Sequence, residues 1–248
     1  LLGFVFHFYM GRTLGPEDYG ILGVILAIIY LFSITTNTVQ ASIAKFVSSF
    51  KAKKDDEKIT FLLNSSIKKL TKYGLILNLI FLAISPLLAQ FLKIPVSPLI
   101  VLSLLITFEL LLPTIRGALQ GLQRFNSSGF NLILEGIIKL SFGIILVKSG
   151  LNIISAVVAI ILSYIIPFYY GYYNLKSVRR GHSKSFDTKE IYESTIPILI
   201  MLISLTAFYS LDVLLVKHFF TNKEAGFYSA AGLIGKILFF GSLSISQV

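Results

Sequence analysis

The sequence predicts an all-α integral membrane protein with about eight transmembrane helices, on three observations. Of its 248 residues, 55% are hydrophobic and only 14% are charged, for a mean hydropathy of +0.81. A soluble domain of that length does not carry this balance. Apolar runs recur, most of them near the ~20 residues that a bilayer-crossing helix needs at ~1.5 Å rise per residue. Between them lie short polar segments that hold most of the lysines and arginines, very unequally on alternate sides.

Residues 1–10 cover only ~15 Å as a helix, half a bilayer, and are read as the tail of a span that begins earlier. No basic n-region or small-residue cleavage site makes them a signal peptide. The segment GRTLGPEDYG (11–20) is a turn, punctuated by Gly and Pro. A second span follows over 21–44, with a polar midsection SITTNTVQAS (33–42) whose hydroxyls and amides suit helix–helix packing. The charged linker KFVSSFKAKKDDEK (45–58) is expected to lie partly as an amphipathic helix on the membrane surface. Spans three and four, 73–92 and 97–115, flank the tight turn KIPVSP. Pro113 removes a backbone donor and frees the carbonyl of Glu109, so a kink is expected there. Glu109 is either a proton or ligand site or a carboxyl bonded within the bundle.

The fifth span, RFNSSGFNLILEGIIKLSFGIILVK (124–148), carries Arg124, Ser128, Asn131, Glu135 and Lys139. At ~100° per residue these five share an arc of roughly 80°, a single polar stripe. Gly129, Gly136 and Gly143 form a second line along which another helix could come close. A charge at bilayer depth costs about 2.5–3.5 kcal/mol on insertion scales, so Glu135 and Lys139 need each other or water. Two readings stand: a structural i,i+4 pair, or the wall of a polar cavity. The sixth span (151–173) ends in SYIIPFYYGYYNLK, read as an interfacial aromatic belt kinked at Pro167. A basic loop (176–189) leads to a seventh span over 196–216, with Asp212 near its end. The eighth, from residue 227, holds Lys236 too deep to snorkel easily, so it is expected to face a cavity or a partner.

The net charge of +10 does not point to nucleic acid. Fifteen lysines and arginines sit in the segments of one side, among them Arg116, and five on the other. The positive-inside rule makes the richer side cytoplasmic and starts the chain there, in the plasma membrane of a prokaryote. With no cysteine there is no disulfide, thiol nucleophile or cysteine metal site, and the three histidines have no metal-ligand spacing. No catalytic group, metal or cofactor is expected. The carboxylates Asp55, Asp56 and Glu57 sit among lysines and read as a solvated linker, which argues against a membrane glycosyltransferase.

RTLGPEDYGIL (12–22) aligns with HFFTNKEAGFY (218–228) at an offset of 206, pairing Gly20 with Gly226, Asp18 with Glu224 and Pro16 with Asn222. The same offset lays the first span on the seventh, both running outward, as in a parallel repeat of six helices about an axis along the membrane normal. Secondary transporters are built that way. On this reading residues 1–176 form an N-terminal six-helix lobe whose first helix is truncated, and 177–248 begin the second lobe with helices seven and eight.

Three stretches, GRTLGPEDYGILGV, RGALQGLQRFN and DVLLVKHFFTNKEAGFYSAAGLIGK, resemble polysaccharide-biosynthesis flippases. These are the oligosaccharide-lipid exporters of the multidrug/oligosaccharidyl-lipid/polysaccharide superfamily. The resemblance implies about 12 to 14 helices in two lobes around a V-shaped cavity, of which this chain would be a fragment. It also implies a substrate, a polyprenyl-pyrophosphate-linked oligosaccharide moved from the cytoplasmic to the outer leaflet, with proton or sodium coupling. By chemistry and depth, Arg116, Asn131, Lys139 and Lys236 would be anion contacts, and Glu109, Glu135 and Asp212 coupling groups. A cation-coupled multidrug exporter and a peptidoglycan lipid-precursor flippase are the alternatives.

Overall fold

A computed structural model of the chain describes residues 2–150, 152–185, 210–232 and 235, with the side chains of 34–37 left aside. The described part is helical throughout apart from its turns. Helix α1 (Leu2–Ala52) is broken at Gly15, whose φ of 75° and ψ of 173° lie outside the helical region and are open to glycine alone at little cost. Pro16 follows, its fixed φ suited to a first helical position. The chain reverses there, because His7 from the first arm (2–14) and Gly23 and Leu26 from the second (16–52) line one cavity. Helices α2 (Asp56–Leu92), α3 (Val96–Gly121), α4 (Phe125–Lys148) and α5 (Asn152–Asn174) follow, then the single turn α6 (Lys176–Arg179). Residues 210–219 (α7) and 222–232 (α8) are also helical. Among the described residues, five helices are long and apolar enough to cross a membrane.

Among the described residues, the third to sixth expected spans each fall within a helix to within a few residues, but α2 begins well before 73 and α3 runs on past 115. The linker over 45–58 is not a separate surface helix. α1 continues to Ala52, only 53–55 leave the helix, and α2 starts at Asp56. The three carboxylates there serve local structure. Asp55 stands at the N-cap, accepting from the Lys58 amide at 3.3 Å and pairing with its ammonium at 2.7 Å, and Asp56 and Glu57 occupy the first turn. Both arrangements favour a helix N-terminus. The Lys58 hydrogen bond, larger than the opposing effect of burial, holds the Asp55 carboxyl below the usual range. α3 runs as one helix across Pro113.

α3 is the centre of the bundle and the most enclosed helix, packed against the second arm of α1, α2 and α5. Two glycines four apart let α1 in: a Cβ on Gly117 would strike the Gln40 carbonyl, and one on Gly121 would stand 2.7 Å from the Ala44 carbonyl oxygen. Gln40 Nε2 donates to Gln120 Oε1 at 3.1 Å across the same contact. Two of the three glycines in the line predicted on α4 are occupied. Leu2 packs on Gly136, and Phe6 and Met10 pack on Gly143, while nothing lies within 4 Å of a Cβ on Gly129.

Candidate functional site

The polar stripe of α4 turns toward α3 and α5. Asn131 has no exposed surface, and Ser128 is 5% exposed. Arg116, near the C-terminal end of α3, reaches it. Its Nε donates to Asn131 Oδ1 at 2.7 Å, and its Nη2 donates to Glu135 Oε2 at 2.8 Å. Lys139, one turn along α4, donates to the other oxygen of Glu135 at 3.2 Å. One carboxylate thus holds two cations, with side chains 11%, 19% and 22% exposed for Arg116, Glu135 and Lys139. Glu135 and Lys139 are in contact as an i,i+4 pair, with Arg116 as a third member.

Asn131 is held from both ends. Its Nδ2 donates to the Pro167 carbonyl at 2.7 Å, an acceptor within α5. Gly171 makes the approach possible, since a Cβ there would stand 3.2 Å from Asn131 Nδ2 and strike Ile115. Asn131 thus braces the Arg116 guanidinium against α5, through Oδ1 on one side and Nδ2 on the other. Arg116 is no loop cation: it belongs inside α3, and the basic asymmetry between the two sides stands without it. Lys139 has the most exposed side chain of the three and spends one of its three protons on Glu135 among the described residues.

Glu109 lies close by on α3, 3% exposed, beside the Tyr164 hydroxyl and within electrostatic reach of Arg116, Glu135 and Lys139. Its Oε2 is buried without a hydrogen-bond partner. Tyr164 was hidden from sequence reasoning inside an aromatic run read as interfacial. The run divides in two: Tyr169 and Tyr173 are 59% and 72% exposed, whereas Phe168 packs on Phe108 with ring centroids 5.6 Å apart.

Asp212 does not join this cluster. It accepts from the Tyr228 hydroxyl at 2.8 Å and lines a small cavity with His7, Tyr19, Tyr30 and Ser229, between α1 and helices α7 and α8. Lys236 and most of the seventh and eighth spans lie outside the described residues. No group of three metal-ligating side chains occurs among the described residues.

A family model described as polysaccharide biosynthesis protein matches residues 1–247. The chain belongs to that family. It is a multi-pass membrane protein, and its fold is that of the MOP superfamily. The solved structure of a multidrug resistance MATE family transporter of that superfamily, in an inward-facing conformation, superposes with a TM-score of 0.74. The two are 14% identical over 95% of this chain and 57% of the other. A MOP superfamily transporter from Pyrococcus furiosus, described as having a binding pocket of reverse polarity that suggests a different function, gives 0.65 at 16% identity. That match covers 85% of this chain and 50% of the other. The chain thus spans about half the length of the solved structures it matches. No curated protein matches it significantly.

Proposed function

We propose that the protein is one part of a flippase that moves a polyprenyl-pyrophosphate-linked oligosaccharide from the cytoplasmic to the outer leaflet by alternating access. The observation that carries this reading is the charge of the α3–α4 cluster, two cations on one carboxylate among apolar helices. With Glu109 protonated, such a cluster keeps an excess positive charge at bilayer depth, where it suits a pyrophosphate or sugar acid and opposes an organic cation. Lys139 is the contact, Glu135 and Asn131 position Arg116, and Glu109 is the coupling group for a proton or sodium ion. Lys236 would add a further cation from the second lobe, which on this reading begins at residue 177. The polyprenyl chain stays in the bilayer while the head group crosses, so no covalent step is assigned. Family membership supports the class, and the likeness to a MOP superfamily transporter supports the fold on which it rests.

The test reconstitutes the full-length protein in proteoliposomes with a fluorescent polyprenyl-pyrophosphate oligosaccharide and an impermeant quencher, with a fluorescent organic cation run in parallel. Movement of the lipid-linked sugar, lost with Lys139→Ala, is the expected result. Gradient-driven movement of the cation alone would make the protein a drug exporter and remove the anion reading.

A further inference from the structure

Helix α2 presents two faces that its angular step separates cleanly. Gly74, Phe81, Ser85, Ala89 and Leu92 are buried against the bundle, and at ~100° per residue they fall within an arc of roughly 80°. The far side carries Lys68 and Lys72, then Leu75, Ile76, Leu79 and Leu87, all exposed. Leu79 and Leu87 are 67% and 68% exposed, so no other described element covers this face. From Leu75 to Leu87 its exposed side chains are all apolar, and the exposed Gln90 closes it beyond them. Lys72 and Gln90 stand about 27 Å apart along the helix, close to the ~30 Å of a hydrocarbon core. The lysines therefore sit at headgroup level when the apolar face lies in the bilayer.

Several cations at this end of the bundle are already used within the protein. Lys51 donates to the Leu122 carbonyl at 2.6 Å, Lys58 pairs with Asp55 at 2.7 Å, and Arg124 donates to the Asn174 carbonyl at 2.7 Å. Lys68 and Lys72 differ: neither has a hydrogen bond or ion pair among the described residues. No carboxylate occurs in the sequence between Glu57 and Glu109 to serve them. The α6 turn adds to the positive field. The Thr60 hydroxyl and Asn64 Nδ2 donate to the carbonyls of Val178 and Arg179 at 2.7 and 3.0 Å, which docks α6, followed by the exposed Arg180, on α2 one turn before Lys68. Like charges one turn apart repel, so the pair calls for an anion from outside the chain. A lipid phosphate at headgroup level, with its tails running down the apolar face, meets both demands. A zwitterionic headgroup meets them less well, because it brings an ammonium of its own.

We propose that this face of α2 binds a membrane glycerophospholipid of net negative headgroup, its phosphate on Lys68 and Lys72 and its acyl chains along Leu75, Ile76 and Leu79. The site is separate from the α3–α4 cluster, and its readout is lipid retention rather than transport, so it stands or falls apart from the flippase reading. The full-length protein in detergent is offered equal amounts of phosphatidylglycerol and phosphatidylcholine with the same acyl chains, and retained lipid is measured by native mass spectrometry. Phosphatidylglycerol is expected to be preferred, with Lys68→Gln and Lys72→Gln each lowering the preference about fivefold. Lys68→Arg should keep it, and Lys223→Gln, at the start of α8, should leave it unchanged. Equal retention of the two lipids, or a preference that survives the double variant, overturns the proposal. Preferential retention of polyprenyl pyrophosphate on the same two lysines also overturns it, by assigning them to the transported substrate. A spin label at Leu79→Cys in nanodiscs reports what covers the face. Relaxation by oxygen dissolved in the bilayer is expected, and protection from it, by another part of the full-length protein or a second copy, overturns the lipid site.

Discussion

Glu135→Gln is the most informative single change. Glu135 accepts from Arg116 at 2.8 Å and from Lys139 at 3.2 Å, one cation on each oxygen. Glutamine keeps the shape but offers one oxygen, so its amide nitrogen must face the second donor. Opposite unit charges 4 Å apart interact by about 4 kcal/mol at an effective dielectric near 20, and desolvation offsets part of that. Removing one member of a buried pair leaves the other uncompensated, at about 3–5 kcal/mol. With Glu135 and Lys139 side chains about a fifth exposed, the lower end applies, and Glu135→Gln is expected to destabilise by about 3 kcal/mol. Lys139→Met, by contrast, removes only the i,i+4 partner and leaves Arg116 paired, at a cost of about 0.5–1 kcal/mol. Denaturant unfolding in detergent micelles measures both. A double-mutant cycle of Arg116→Met and Glu135→Met should show a coupling of about 1–3 kcal/mol. The reasoning is refuted if Lys139→Met destabilises as much as Glu135→Gln, or if the cycle shows no coupling. Because Glu135 serves both cations, exchanging Glu135 and Lys139 would set a lysine against Arg116, and that swap cannot separate a structural pair from a site.

The two ends of the α4 glycine line should respond oppositely in the same unfolding assay. Gly143→Leu crowds Phe6 and Met10 and is expected to cost about 1–3 kcal/mol, whereas Gly129→Ala meets open space and gains up to about 1 kcal/mol of helix propensity. At the start of α8, Thr221 and Glu224 form a reciprocal cap, with the Thr221 amide donating to Glu224 Oε2 at 2.9 Å and the Glu224 amide to Thr221 Oγ1 at 3.3 Å. The Thr221 amide bond lowers the Glu224 carboxyl from its usual value. Its contribution is therefore complete above the ordinary glutamate range and is lost as pH falls through the lowered value. Hydrogen exchange at the first turn of α8 should accelerate over that acidic window, and Glu224→Gln should abolish the pH dependence.

Much of the fold was legible because bilayer crossing is a one-dimensional constraint. Length, apolarity and the punctuation of Gly15–Pro16 and of KIPVSP mark the helices without knowledge of their neighbours. The stripe on α4 was equally readable, since its members share one helix and a fixed angular step. The offset of 206 brought out the mates Gly20 and Gly226 from local likeness alone.

The tertiary structure decided everything that depends on two helices meeting. Arg116 and Glu135 lie nineteen residues apart on different helices, and no periodicity joins them. Asn131 braces α4 against α5 because the Pro167 carbonyl stands opposite it, a neighbour that its own helix does not reveal. Tyr164 left the aromatic belt for Glu109 for the same reason. Gly129 and Gly143 are identical in the sequence pattern, yet only Gly143 has a helix against it. A helix's own spacing fixes which residues share a face, but what that face meets is set by the packing of all the others.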